Sequence, residues 1–357
     1  MKYAFLLSGD YVDLAKEEVI SLFNADTFYL IDRLFIVDLK NNSKVEKISK
    51  RAALTKNIYK LLFECKINEL TDLMKKHDWN SIYKDDFCLR IHYFKNNKNK
   101  INKNTKQFSE INLAKYIWSS IRTPKVNLKN PKTRIELFIV DGKVYCGLLI
   151  YKNNDDFESR KSHLRPFTHP SSLHPKLARA LVNIIGIKEK EILLDPFCGT
   201  GGVLIEAGLM GIKVIGYDIS KNMAKGCKEN LKYFKIKKFD IVNKNALQMQ
   251  NKFDYVVTDL PYGLNSNVYL QYNKKSLKYN FNKINLKTNQ KNKIQNIEMF
   301  YLKFLQKLRK ILKKKAVIIF PSYVNHKKLL KIAKFKIERE FSIYMHRSLT
   351  RKIARIK

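Results

Sequence analysis

Hydrophobic and polar positions along this chain follow two rhythms, one of period two and one near three and a half, and their order sets the expected fold. Residues 3–7 alternate as a strand does, and 15–22 have helical spacing with acids in the first turn. Alternation returns at 28–30 and 34–39, and 45–54 again looks helical. Further on, a strand is predicted over 88–94, an amphipathic helix over 112–121, and a hairpin from 134–140 and 144–150. The hairpin is joined by Asp141-Gly142, a dipeptide that tolerates the positive φ angles of a tight turn. Residues 152–175 are polar, hold three prolines and read as a connector. From 176 the pattern is regular. Helices over 176–186, 201–210, 221–234, 298–313 and 325–333 are interleaved with strands over 191–195, 213–218, 238–242, 253–259 and 315–320. Two strands, 335–345 and 350–356, close the chain. The fold class is therefore α/β, with a mostly parallel sheet covered on both faces, an antiparallel edge, and an α+β part at the N-terminal side.

At 357 residues the chain divides into two or three domains, and 45% hydrophobic with 12% aromatic residues provides for packed cores. No apolar run approaches the ~20 residues that cross a bilayer. Residues 1–5 open into a strand pattern unlike a signal peptide, so no membrane association and a cytoplasmic location are expected. The five cysteines are scattered without a Cys-x-x-Cys pair, and the seven histidines show no metal-ligand spacing, which predicts reduced thiols and no metal site. Net charge is +38, from 70 basic against 32 acidic residues. Such a field attracts polyanions and points to nucleic acid. Abundant Lys, Asn, Ile, Tyr and Phe are also what AT-rich coding imposes, so only part of the excess counts as function. Two basic stretches stand out: 95–106, with five Lys and five Asn, and 264–297, with seven Lys, nine Asn and no acid. The first reads as a solvated loop; the second follows a candidate catalytic motif and reads as a flexible lid.

Two strand-end loops carry the chemistry. The first, Asp195-Pro196-Phe197-Cys198-Gly199-Thr200-Gly201-Gly202, follows the apolar run 192–194. Its glycines let backbone approach a ligand closely, and Asp218, ending the next strand ahead of Ile219, is placed to accept hydrogen bonds from ribose hydroxyls. Asn245-Ala246, after the third strand, is the expected adenine clamp. NAD is the rival cofactor, but its loop requires Gly-x-Gly-x-x-Gly, and an acid at 195 beside a pyrophosphate is unfavourable. S-adenosylmethionine carries an ammonium and a sulfonium and suits that acid. Cys198 reads as small buried filler rather than a nucleophile.

The second loop is Asp259-Leu260-Pro261-Tyr262. The lone pair of an exocyclic base nitrogen is delocalised into the ring. An acceptor on its N–H groups favours sp3 character and aims that pair. Asp259 offers a side-chain acceptor, Leu260 a backbone carbonyl, and Tyr262 a ring on which the base stacks, worth roughly 1–3 kcal/mol against the cost of flipping the base out. Among single residues, Lys129, Lys132, Arg165, Arg347 and Arg351 are candidate phosphate contacts, and His169 and His174 read as turn caps or packing.

The second loop resembles the Asn/Asp-Pro-Pro-Tyr/Phe signature of amino-methyltransferases, with Leu260 in place of the first proline. Further segments resemble, in order, the archaeal tRNA guanine-10 N2-methyltransferases. Residues 126–133 with the strand at 144–148 are similar to a THUMP RNA-binding domain. Arg165-Pro166-Phe167-Thr168-His169-Pro170 and the run 173–183 resemble the entry to the methyltransferase domain, and 346–351 the terminal strand pair. The resemblance implies an N-terminal ferredoxin-like domain (1–65), a THUMP domain (66–151), a linker (152–175) and a class I Rossmann-like methyltransferase domain (176–357). It implies S-adenosylmethionine as cofactor, tRNA as partner with THUMP gripping its acceptor end, a small activator protein as in related enzymes, and no DNA substrate. The reaction implied is mono- or dimethylation of guanine 10 at N2. Alternatives are another tRNA position such as guanine 6, an N6-adenine or N4-cytosine DNA methyltransferase, and a non-catalytic RNA-binding subunit.

Overall fold

The computed structural model describes residues 1–39, 45–94, 108–170, 172–262, 290–346 and 349–357, which form two compact units, Met1–Asn154 and Asp155–Lys357. The basic stretch 95–106 and most of 264–297 lie outside the described residues.

In the first unit β1 (Lys2–Leu7), β2 (Thr27–Ile31), β3 (Leu34–Asp38), β4 (Thr55–Lys66), β5 (Phe87–Tyr93), β6 (Thr133–Val140) and β7 (Lys143–Lys152) form one sheet, ordered β2-β3-β1-β4-β7-β6-β5. Only β5 and β6 pair in parallel. The sequence pattern missed β4. Its apolar residues are consecutive rather than alternate because register shifts between Ile58 and Tyr59 and between Leu61 and Phe63 erase the period of two. β4 pairs with β1 on one side and β7 on the other, so the sheet runs through residue 65. The predicted hairpin forms, with Asp141 at φ 48° and Gly142 at φ 74°. The helices here are α1 (Val12–Phe23), α2 (Val45–Ser49), α3 (Leu70–Lys76), which the pattern also missed, and α4 (Glu110–Ser120). Leu113 and Ile117 of α4 pack with Leu70, Met74 and Trp79 over β5 and β6.

The second unit has β8 (Ile192–Asp195), β9 (Lys213–Asp218), β10 (Phe239–Asn243), β11 (Phe253–Asp259), β12 (Leu312–Pro321), β13 (Ile337–His346) and β14 (Leu349–Ile356), ordered β10-β9-β8-β11-β12-β14-β13. β8 to β12 are parallel. The last strand, β14, inserts between β12 and β13 and runs antiparallel to both. Its helices are α5 (Pro175–Ile184), α6 (Gly202–Leu209), α7 (Lys221–Tyr233), α8 (Gln290–Ile311) and α9 (His326–Ile332). The chain leaves β8 towards β9 and β10, then returns to β11 on the other side, and a crevice opens beyond the strand ends at that reversal. Asp195, Asp218 and Asp259 are the last residues of β8, β9 and β11. α8 starts eight residues before the predicted 298, because its first turns are Lys- and Asn-rich and carry little of the apolar repeat. Ile297, Tyr301, Phe304, Leu305 and Leu308 form its buried stripe.

The predicted connector is structured at its start. Glu206 of α6, fully buried, receives Arg160 at 2.7 Å and Arg179 at 2.8 Å, and Asp155 meets Arg160 at 2.7 Å. Both guanidinium groups lie over the Phe157 ring, 4.8 and 5.1 Å from its centre. Charges this deep persist only when paired, so the network fixes the start of the segment to α5 and α6. His174 caps α5 by accepting from the Lys176 N–H, with Pro175 next in the first turn.

Candidate active site

Beyond β8 the chain turns through Gly199 (φ 50°) and Gly201 (φ 85°) into α6. A Cβ on Gly201 would stand 2.7 Å from the Cys227 sulfur, so a side chain is excluded on two grounds. The loop is tied to its neighbours by backbone groups: Gly199 N–H donates to Asp218 Oδ2 at 3.0 Å, and Cys198 N–H to the Tyr217 carbonyl at 3.0 Å. Asp218 Oδ1 accepts from Ser220 N–H at 2.8 Å, and Ile219 lies between them at the rim. Thr200 shares a 2.8 Å hydroxyl contact with Ser172. Phe197 stands edge-on to Phe304 at 4.9 Å. Cys198 is buried.

Asp195 accepts from Thr258 Oγ1 at 2.7 Å and Phe197 N–H at 3.1 Å. Burial pushes its carboxyl up to about 7, against those two hydrogen bonds, and the charges of Asp259 and Asp218 add to the rise. Asp218 is also raised by burial. Two buried acids, Asp195 and Asp218, at adjoining strand ends beside the glycine loop fit a ligand that brings positive charge. Asn245 caps the turn at 246–248 by accepting from Leu247 N–H at 2.9 Å, and Ala246 is fully buried. The Ala246 side chain packs in the core, and Asn245 uses one lone pair of its carbonyl as a cap. Among the described residues no cluster of three or more His, Cys, Asp or Glu could hold a metal ion.

On the other side of β8, Asp259 ends β11 with 18% of its side chain exposed. Its Oδ1 accepts from the Tyr262 hydroxyl at 2.7 Å, and its Oδ2 lies 3.5 Å from Arg351 Nη2. Burial pushes the acid up to about 6, while the Arg351 charge and the Tyr262 hydrogen bond pull it down. The loop backbone is clamped from afar. Leu260 N–H donates to the Ile319 carbonyl at 3.2 Å, Tyr301 Oη to the Pro261 carbonyl at 2.8 Å, and Tyr323 Oη to the Tyr262 carbonyl. Leu260 is 1% exposed and its side chain belongs to the core beside Tyr301. Leucine at the usual proline position therefore has a physical use: it supplies an N–H that proline lacks and an anchor in the core.

Of the five candidate phosphate contacts, Lys129 and Lys132 are exposed on a loop ordered by Asn127 and Asp86. Two are corrected. Arg165 is 3% exposed, with Nε donating to the Arg160 carbonyl at 2.9 Å, and Arg351 is buried beside Asp259, so neither meets solvent phosphate. Arg347 lies outside the described residues. Sequence reasoning missed Tyr301, Tyr323 and Asn230, whose side chain bridges the Thr200 carbonyl at 3.0 Å and the Phe167 backbone. Tyr301 fell within an apolar helical stripe, where only its hydroxyl distinguishes it from core. Asn230, at an inward position of α7, was the one visible signal, a buried amide that must find partners.

Residues 162–268 match the RMKL-like methyltransferase domain family, and residues 64–149 match the THUMP domain. The tRNA (guanine(10)-N2)-dimethyltransferase of Methanothermobacter thermautotrophicus is 30% identical, across 99% of this chain and 98% of that protein. That of Methanocaldococcus jannaschii is 32% identical, across 73% of this chain and 82% of the relative. The crystal structure of TrmN from Thermus thermophilus shares the fold over 100% of this chain and 99% of its own, with a TM-score of 0.53 and 14% identity. A THUMP domain ahead of a Rossmann-like methyltransferase domain, with 30% identity over nearly the whole of the Methanothermobacter enzyme, identifies the chain as a member of the tRNA (guanine(10)-N2)-dimethyltransferase family.

Proposed function

We propose that this protein is an S-adenosylmethionine-dependent tRNA methyltransferase that modifies N2 of guanine 10. The observation that carries the reading is a partly exposed carboxylate, Asp259, at the end of β11, one strand from the glycine loop of β8 and in the same crevice. When bound, the cofactor supplies an electrophilic methyl whose sulfur leaves as a neutral thioether. Asp195 and the glycine loop hold the cationic end of that ligand, Asp218 its ribose, and Asn245 its adenine. Asp259 and the Leu260 carbonyl accept the N–H groups of the guanine amine, turning its lone pair towards the methyl. After transfer Asp259 takes the proton that the nitrogen sheds. The domain roles follow the family: 1–65 ferredoxin-like, 66–151 THUMP, 152–175 linker and 176–357 catalytic, with Lys129 and Lys132 on tRNA phosphates. The protein works in the cytoplasm, with a small activator protein as partner. No helix among the described residues is long and apolar enough to cross a membrane.

The test is methyl transfer from labelled S-adenosylmethionine to unmodified tRNA carrying guanine or adenine at position 10. Transfer is expected only with guanine, and equal labelling of the adenine variant overturns the position. Asp259→Ala should lower turnover by roughly 10²–10³-fold, the scale of removing one group that stabilises a transition state. Binding of S-adenosylhomocysteine, followed by calorimetry, should stay within a few-fold of wild type. Equal loss of both would reassign Asp259 to the cofactor.

A further inference from the structure

The segment 346–351 has no place in the mechanism above, yet its last residue reaches the reacting end of the site. Arg351 lies on β14, in register with Pro321 of β12 and Ile343 of β13, so strands flank it on both sides. Its Nε donates to the Tyr262 hydroxyl at 2.7 Å, and its guanidinium carbon sits 5.8 Å from the Tyr262 ring centre. An arginine Nε–H can only donate. The hydroxyl oxygen is thereby an acceptor from Arg351, and its own proton points to Asp259 Oδ1, 2.7 Å away. The second carboxylate oxygen faces Arg351 Nη2 at 3.5 Å. Asp259 is thus addressed at one oxygen by a donor that Arg351 has oriented, and at the other by the charge of Arg351.

We propose that Arg351 is a positioning residue for Asp259: acting partly through Tyr262, it fixes the direction and the negative charge of the acceptor. In the free protein the Tyr262 hydroxyl donates where the guanine amino group will donate. An incoming base displaces that hydroxyl and leaves the Tyr262 ring available to it, while Arg351 stays opposite Oδ2. This rests on the reading of Asp259 as the acceptor of the amino group. The other ionisable groups facing Asp259 are Tyr301 from α8, held neutral by burial, and Asp195 from β8, whose carboxyl is pushed up to about 7 and is a like charge only above that pH. Arg351 is the one cation the described residues place against it.

The sign of the pH dependence follows. Asp259 accepts only when ionised, so the single-turnover rate should climb as pH rises through about 6 and then level. Without Arg351 the acid binds its proton more tightly and the climb moves to higher pH. With full-length Arg351→Gln, labelled S-adenosylmethionine and unmodified tRNA, the acidic limb should shift upward by about one pH unit or more, the effect of an opposite charge at this range. The rate should then be about tenfold low at pH 5 and about twofold low at pH 7, and recover to wild type by pH 9. Arg351→Lys, which keeps the charge, should return the limb towards its original place. Tyr262→Phe keeps Arg351 and removes only the oriented donor, and it should shift the limb less than Arg351→Gln while S-adenosylhomocysteine affinity stays unchanged. A loss of rate in Arg351→Gln that is uniform across pH would overturn the proposal. Should Arg351→Gln fail to fold, a Tyr262→Phe limb identical to wild type at subsaturating tRNA, where the free protein titrates, would also overturn it. Transfer that survives in Asp259→Ala would instead remove the acceptor reading itself, which keeps the two failures apart.

Discussion

The glycine loop after β8 and the Asp-Leu-Pro-Tyr loop after β11 end neighbouring strands of one sheet, yet they are held in opposite ways. The glycine loop is secured from nearby in sequence, with Gly199 and Cys198 both tied to residues 19 positions on. The second loop depends on partners 40, 61 and 89 residues away, namely Tyr301 on Pro261, Tyr323 on the Tyr262 carbonyl and Arg351 on the Tyr262 hydroxyl. The backbone bonds of the glycine loop need only β8 and β9, although Asp195 also draws on Thr258 of β11. The acceptor site waits for β12, α8 and β14. Binding cofactor and presenting an acceptor are therefore separable properties of this fold, and variants should divide them.

The largest effect is expected beneath the glycine loop. Glu206, one turn into α6, neutralises Arg160 and Arg179, and Glu206→Gln leaves two buried guanidinium groups with only Asp155 between them. Breaking a buried pair from one side costs about 3–5 kcal/mol. Both tryptophans, Trp79 and Trp118, belong to the first unit, so their fluorescence during urea unfolding should keep its wild-type midpoint. Hydrogen exchange over α5 and α6 should accelerate in the same protein, and saturating S-adenosylhomocysteine should restore part of the protection by mass action. Unchanged exchange there would mean that the network contributes little and that the loop's own backbone bonds suffice.

This asymmetry also governs what the chain revealed as a string of letters. The glycine loop, Asp218 and the alternation of β8 to β12 were legible because their interactions are local and their residue types are constrained by backbone geometry. Asp259 to Tyr262 were legible as a motif but not as a structure. Tyr262 was expected to offer only a stacking face, and Arg351 was expected on phosphate, because nothing in either stretch says that one will meet the other across 89 residues. β4 escaped for a different reason, since two register shifts remove the period that strand reading relies on. The start of the connector looked like a polar linker because its buried charges are invisible until their partners on α5 and α6 are placed.

A smaller effect should come from Leu260→Pro, which restores the common motif. It deletes the N–H donated to Ile319 and replaces a fully packed side chain, and the two losses together come to roughly 1–3 kcal/mol. Turnover on tRNA should fall while S-adenosylhomocysteine affinity does not. A variant as fast as wild type would show that the loop's register is set by the tyrosine clamps alone.

The finest division of the two loops is Tyr301→Phe. The ring stays in the stripe with Phe304 and Leu308, so packing is kept, and only the hydroxyl that holds the Pro261 carbonyl at 2.8 Å is removed. A hydrogen bond of this kind contributes about 0.5–1.5 kcal/mol. If that energy fixes the acceptor loop specifically, it should appear in the transfer step, lowering the single-turnover rate by roughly 2- to 10-fold at about 1.4 kcal/mol per tenfold change. Cofactor affinity and the Trp-reported midpoint of the first unit should not move. The Pro261 carbonyl lies two residues beyond Asp259, so releasing it loosens the turn that brings the Tyr262 hydroxyl back to the carboxylate. Weaker cofactor binding in this variant would instead mean that α8 supports both loops together, through the contact of Phe304 with Phe197, and that the separation of donor and acceptor holds only at the level of sequence distance.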